Sequence, residues 1–362
     1  MKPQQREVLI TGASGFIGFE TVRLFIERGW FVRAWTHRSC RFELSEYEQQ
    51  GKLDILSGDL ADATALTRAF AGKPLPEAVV HCAGFASDIG PERHFQRANF
   101  ESVKVLADWV AQTKINRLVF VSTTDVYGLR DFSGETEDEL SFDQSPWNFY
   151  PRYKILAEEM LRERLPQEQW SIIRPAAVWG SGDRTLTPRF RDFLSWSPWI
   201  LHFGCWRGQN RWPLAHVRNV ALSCFLAATR AEASGCAIQV VDSRQLSIDA
   251  FYRAVGATHF PTRHYRSMTL PLWFGKLLGW SVSAISNMLN LEHAFMDPSL
   301  YAMYSVSCHL DFSNRRMLEL FAKAGETEYV GDFSSSLQLN TCLPIERIGS
   351  NGERIQIGII TG

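Results

Sequence analysis

The sequence predicts an α/β fold built on a doubly wound parallel sheet, and three observations predict it. Short apolar runs of strand length recur at Val8–Ile10, Phe31–Trp35, Leu53–Leu56, Ala78–His81 and Leu118–Val121, with helical spacing at 16–28, 62–70 and 99–111. The first run enters a glycine-rich turn, Gly12-x-x-Gly15-x-x-Gly18. The fifth ends in three hydroxyls, Ser122, Thr123 and Thr124, at the kind of strand end where such sheets hold ligands.

Taken in order, Val8–Ile10 followed by the glycine turn describes a buried strand, a tight turn and a helix start. Without Cβ atoms the glycines admit positive φ and close backbone approach, and the helix N-terminus offers N–H groups and a positive dipole end to an anion. The turn is therefore read as a dinucleotide phosphate cradle formed by Gly12, Ser14, Gly15, Phe16, Ile17 and Gly18. Gly29 closes the first helix near Arg28. The second strand runs into Thr36, His37 and Arg38 with no acid, where a carboxylate would hold the ribose 2′-OH of NAD. His37 and Arg38 are thus expected to favour the 2′-phosphate of NADP, with NAD as the alternative cofactor. Asp59 is placed either to meet the adenine edge or to cap a helix, and Ala83 and Gly84 let a flat cofactor lie against backbone.

After the polar, acidic loop 131–144, Pro151 suits a first helical turn, and a helix beginning there stacks Tyr150 and Lys154 on one face while Tyr153 points elsewhere. An ammonium beside a phenol is expected to lower its pKa and make it a proton donor and acceptor usable near neutrality.

Bulk properties exclude several classes. The 362 residues suffice for a large α/β unit with an added lobe, and 38 basic against 39 acidic side chains give net −1, which offers no nucleic-acid footprint. Seven scattered cysteines without a C-x-x-C pair argue against a disulfide framework or zinc ribbon, and no metal-ligand spacing occurs. Reduced thiols and a polar opening segment lead to a cytoplasmic expectation.

Together the segments Thr11–Gly18, Gly58–Leu60, His81–Gly84, Ser122–Gly128, Tyr150-x-x-x-Lys154, Arg174–Asp183 and Leu214–Val220 resemble the extended short-chain dehydrogenase/reductase family. The likeness is to its branch of epimerases, dehydratases and 3β-hydroxysteroid dehydrogenase-like enzymes, and it covers about residues 7 to 325. The resemblance implies a Rossmann-type sheet with a smaller C-terminal substrate lobe. It implies Tyr150 as general acid/base, Lys154 as its electrostatic partner and ribose ligand, and Thr123 as a donor to the reacting oxygen. It adds Leu60, Pro175 and Val178 to the cofactor residues. The family's dehydratases carry an Asp-Glu pair after the catalytic Thr; Thr124-Asp125 here lacks one carboxylate and disfavours elimination.

The expected activity is hydride transfer between NAD(P) and a hydrophobic secondary alcohol or ketone, steroid-like or a long-chain β-keto or hydroxy compound. A nucleotide-sugar epimerase holding NAD and a non-catalytic dinucleotide-binding protein are the alternatives. The cofactor domain is placed at 1–175 with a returning strand near 237–241, the substrate lobe at 176–335, and a flexible tail at 343–362. The aromatic residues from Trp179 to Trp212 are read as core or as an apolar pocket, and the arginines between them as solvated surface or anion ligands. The apolar stretch 270–291, with Lys276 its one charge, is read first as a helix starting near Pro271 that covers the active site, second as a peripheral membrane contact. A small-molecule substrate and a homodimer complete the expected partners.

Overall fold

The computed structural model describes residues 5–37, 41–113, 115–146, 148–292, 298–327 and 329, and the strands at 345–348 and 354–357. Alternating elements open the chain: β1 (Glu7–Thr11), α1 (Phe16–Glu27), β2 (Phe31–Thr36), α2 (Phe42–Gln49), β3 (Leu53–Ser57), α3 (Ala65–Ala69) and β4 (Ala78–His81). They continue as α4 (Glu92–Gln96), α5 (Ser102–Thr113), β5 (Arg117–Val121), α6 (Phe149–Arg164) and β6 (Trp170–Pro175). Next come β7 (Ala177–Trp179), α7 (Leu186–Trp196), β8 (Trp199–Phe203), β9 (Arg211–Trp212), β10 (Leu214–His216), α8 (Val217–Thr229) and β11 (Ala237–Val240). The remainder is β12 (Leu246–Ser247), α9 (Ile248–His259), β13 (Arg266–Leu270), α10 (Leu272–Met288), α11 (Leu300–Ser307), α12 (Arg315–Lys323), β14 (Ile345–Ile348) and β15 (Arg354–Ile357).

Two compact units form: one from Met1–Val126, Phe142–Pro175 and Val220–Ile238, the other from Tyr127–Ser141, Ala176–Asn219 and Gln239–Gly362. In the first, the sheet order is β11-β6-β5-β4-β1-β2-β3. The strands from β3 across to β6 pair in parallel. Buried on both faces, they read as near-continuous apolar runs: Val8, Leu9, Ile10, Val79, Val80, Val119 and Phe120 are wholly inaccessible. The order reverses between β1 and β4, which makes the carboxyl ends of those two strands the ligand crevice. Phe25 of α1 packs edge-on to Trp30 and Phe225, tying α8 to the sheet.

The helix expected at 99–111 begins earlier, at Glu92, and passes through a π-helical turn at Arg97–Glu101 before α5. That wider, under-wound turn carries Asn99 into the interior.

In the second unit β7 pairs with β10 and β8 with β13, both parallel, while β9 and β12 are antiparallel. Loop 127–141 belongs here: Phe132 N–H donates to the His309 carbonyl at 2.7 Å, and Glu135 bridges Phe312. Buried Asp242 organises the centre, accepting from Trp179 Nε1 (2.6 Å), the His216 N–H (2.9 Å) and Asn219 Nδ2 (2.9 Å). Much of the aromatic stretch is core, since Trp179, Phe203 and Trp212 are buried and Phe190 packs on Trp212, Phe251 and Tyr252. Trp196 and Trp199 are exposed. Arg211 pairs with Asp311 at 2.6 Å.

Over 343–362, where a tail is expected, β14 and β15 pair antiparallel and the other residues lie outside the described ones.

Candidate active site

The glycine turn fills the crevice at the reversal of strand order. Gly12 takes φ +66°, and a Cβ there would lie 2.7 Å from the Ala83 nitrogen, so glycine lets the turn after β1 press against the backbone after β4. Gly18 is equally constrained, its notional Cβ falling 2.1 Å from the Gly12 carbonyl oxygen. The first helical bond of α1 runs from the Phe19 N–H to the Gly15 carbonyl at 3.0 Å, leaving the N–H groups of Phe16, Ile17 and Gly18 directed beyond the helix start. Gly15, the N-cap, supplies no side-chain acceptor, and the first turn holds no acid. This donor set fits a pyrophosphate.

Around that turn, the Ser14 carbonyl accepts a hydrogen bond from Arg41 Nε at 2.7 Å, and the Arg41 guanidinium lies 4.6 Å from the centre of the Phe19 ring. Arg41 thus brings a cation to the rim of the cradle, a residue the sequence reading passed over because nothing in its spacing links it to Ser14. At the end of β2, Thr36 is buried and His37 exposed, with His37 Nδ1 3.4 Å from the Gly58 carbonyl. Arg38 lies outside the described residues. Asp59 caps no helix, because the residue before α3 is Thr64. Its carboxylate accepts from the Ala61 N–H at 2.9 Å and pairs with Arg97 at 2.5 Å. Burial would raise its pKa, but the Arg97 hydrogen bond, the Ala61 N–H and the Arg97 and His37 charges outweigh this and hold it below the usual value. Leu60 beside it is buried.

Past β4, Asn99 clasps the loop with both ends of its amide, accepting from the Phe85 N–H (3.0 Å) and donating to the Phe85 carbonyl (2.9 Å). A Cβ at Gly84 would sit 2.8 Å from Asn99 Oδ1 and 3.4 Å from Lys154 Nζ, so this glycine permits the loop to cross both. Asn99 was legible only as a helix residue; its role depends on the π turn, which leaves no periodic trace.

Tyr150 and Lys154 stand one turn apart on α6, and Asn148 starts that helix by accepting from the Tyr150 N–H at 2.7 Å while donating to the Asp88 carbonyl at 2.9 Å. Asn148 was not singled out from the sequence, where only Pro151 marked the helix start; an asparagine two residues before Tyr150 is the capping signal that would have found it. Tyr153 does point elsewhere, its hydroxyl donating to Glu92 at 2.9 Å. Buried Glu158, one turn beyond Lys154, pairs at 2.5 Å with buried Arg174 of β6 and fixes the helix to the sheet.

Lys154 Nζ donates to the Val121 carbonyl at 2.7 Å and lies 5.8 Å from the centre of the Tyr150 ring. Burial pushes it down to about 8, against the opposing charges of Cys82 and Glu158. The expected lowering of the Tyr150 phenol is reversed. Its pKa is raised, first by burial and then by the negative charge of Asp125, and a hydrogen bond with Thr123 only partly offsets this. The reason is geometric: the ammonium is committed to a backbone carbonyl, so the phenol meets desolvation without a cation against it. Thr123 Oγ1 also accepts from the Asp125 N–H at 3.2 Å, which leaves its proton to be donated. Ser122 Oγ, one residue earlier, is buried with no hydrogen-bond partner among the described residues.

Thr123, Tyr150, Lys154 and the residues after β1 and β4 therefore share the carboxyl edge of one sheet. Pro175 ends β6 in the same unit, whereas Val178 lies on β7 in the second unit. Among the described residues no cluster of three or more His, Cys, Asp or Glu side chains could hold a metal.

Comparison with known proteins places these features. The family model described as the NAD dependent epimerase/dehydratase family matches residues 8–240. The 2-alkyl-3-oxoalkanoate reductase of Stenotrophomonas maltophilia is 27% identical over 61% of this chain and 64% of its own, just under two thirds of its length. The decarboxylating sterol-4-alpha-carboxylate 3-dehydrogenase of Mus musculus is 23% identical over 80% of this chain and 79% of its own. Thermus thermophilus UDP-glucose 4-epimerase, solved in complex with NAD, shares the fold with a TM-score of 0.64 at 18% identity, covering 92% of this chain and 97% of that one. This chain belongs to the NAD-dependent epimerase/dehydratase family, within the extended short-chain dehydrogenase/reductases that its motifs resemble.

Proposed function

We propose that the protein is an NADP-preferring reductase or dehydrogenase acting on a hydrophobic ketone or secondary alcohol. The carrying observation is half-buried Tyr150, its hydroxyl hydrogen-bonded with Thr123 and its ring one turn before Lys154. A bound nicotinamide would supply or accept the hydride at the reacting carbon. In reduction, Tyr150 Oη gives its proton to the carbonyl oxygen and Thr123 Oγ1 donates a hydrogen bond to the same atom as negative charge develops there. A phenol that keeps its proton is the form this direction consumes. Lys154, held on the Val121 carbonyl with its ammonium 5.8 Å from the centre of the Tyr150 ring, is placed to donate to the nicotinamide ribose, the other role the family resemblance gives it. Thr124 stands where elimination would want a second carboxylate, so the base that takes the proton and the acid that protonates the leaving hydroxyl are one carboxyl group short.

NADP preference is supported by the acid-free end of β2 and by Arg41 on the rim of the glycine turn. A hydrophobic substrate is supported by two relatives whose names specify an alkyl-oxoalkanoate and a sterol carboxylate. Tyr150→Phe keeps the ring and loses the proton. Turnover with a 3-oxoalkanoate or steroid ketone should fall by about 10² to 10⁴ while NADPH affinity, read by fluorescence titration, stays within about twofold. Undiminished turnover would remove Tyr150 from the chemistry.

A further inference from the structure

Helix α10 is built inside out. Its inward face consists of Gly275, Gly279, Val282 and Ser286. A Cβ on Gly275 would lie 2.3 Å from Met303 Cε, and one on Gly279 would lie 2.9 Å from the Leu300 Cα, so the small residues bring α10 close against α11. Large apolar side chains point outward instead: Trp273, Phe274, Leu277, Trp280, Ile285 and Met288 are all exposed, Trp273 by 66% and Met288 by 75%. A water-facing helix normally shows the opposite distribution. Packing among the described residues leaves this face unexplained.

A second observation says what covers it. From residue 250 to 291 there is no Asp or Glu, while Arg253, Arg263, Arg266 and Lys276 are present, in a chain of net charge −1. Arg253 is neutralised by Asp249, one residue before that stretch. Arg266, on the strand leading into α10, is exposed, with its guanidinium 5.9 Å from the centre of the exposed Trp199 ring, and Arg263 is exposed nearby in sequence. A segment that carries the outward Trp273 and Trp280 together with Arg263, Arg266 and Lys276, and no carboxylate of its own, matches the headgroup zone of an anionic membrane. A second copy fits worse, since an isologous contact would bring the same anion-free, cationic segment against itself. No helix among the described residues is long and apolar enough to cross a membrane.

We propose that the outward face of α10, together with Arg263 and Arg266, docks on the interface of an anionic lipid bilayer and lies in its plane. The test is co-sedimentation of the full chain with vesicles of phosphatidylcholine alone and with added phosphatidylglycerol. The wild type should bind the anionic vesicles more strongly, and high salt should weaken that binding. Trp273→Ser/Leu277→Ser/Trp280→Ser should lose at least about tenfold in vesicle affinity, with circular dichroism and NADPH binding unchanged. Arg263→Glu/Arg266→Glu should abolish the preference for phosphatidylglycerol. Brominated lipid should quench part of the wild-type tryptophan fluorescence, a reading that needs no variant. Wild-type protein that stays in the supernatant with both vesicles, or escapes bromine quenching, would overturn the proposal. So would a serine variant that binds as the wild type does, an arginine variant that keeps the lipid preference, or a wild-type dimer that the serine variant dissociates.

Discussion

His81 shows how a single buried residue supports the site without touching a reacting atom. The Ala83 N–H donates to Thr11 Oγ1 (3.4 Å), Thr11 donates to His81 Nδ1 (2.7 Å), His81 Nε2 reaches Ser102 Oγ (3.5 Å), and Ser102 donates to the Ala98 carbonyl (2.8 Å). Every donor in that chain has an acceptor if the imidazole is neutral with its proton on Nε2. Burial and the Lys154 charge push its pKa down to about 3. The unfolded chain takes up a proton near 6.5 that the fold refuses until about 3, so this residue's contribution to stability falls as pH falls through that window. Between pH 7 and pH 5 the loss is about 2 kcal/mol. His81→Asn should remove that part of the acid sensitivity, making the fall in urea-unfolding free energy over the same interval smaller by about that amount. An identical pH dependence in the variant would show that His81 does not carry it.

At the scale of elements, the β1–α1 turn and the start of α6 do most of the positioning. The turn's glycine spacing, the strand at 78–81 and the helix face bearing Tyr150 and Lys154 are local patterns, and they were legible because each is set by residues within a few positions of one another. Arg41 on the Ser14 carbonyl expresses contact between distant segments, and no local period encodes it. The reversed Tyr150 shift has the same origin: the Val121 carbonyl that holds Lys154 lies 33 residues from it in sequence. If Arg41 supports the 2′-phosphate, Arg41→Ala should weaken NADP binding about tenfold more than NAD binding, the size of one lost charge-assisted hydrogen bond. Equal losses for the two dinucleotides in parallel titrations would reduce Arg41 to a clamp on the turn.

Across the whole molecule, two compact units divide the work of specification unequally. The first is dictated by apolar runs and glycines and could be traced strand by strand from the sequence. The second draws its order from tertiary contacts, such as the Asp242 centre and the loop 127–141 joined to 309–313, which the aromatic density alone did not resolve into core and surface. Its small-residue seam on α10 is visible only once the inward and outward faces are known. The central claim, that this chain reduces or oxidises its substrate with net hydride transfer, is tested most directly by stoichiometry. Purified chain, NADPH and a hydrophobic 3-oxoalkanoate should yield one hydroxy product for each nicotinamide oxidised, read as loss of absorbance alongside product mass. Substrate conversion with the nicotinamide absorbance unchanged, as an epimerase would give, or dinucleotide binding with no conversion across steroid and oxoalkanoate ketones, would contradict it.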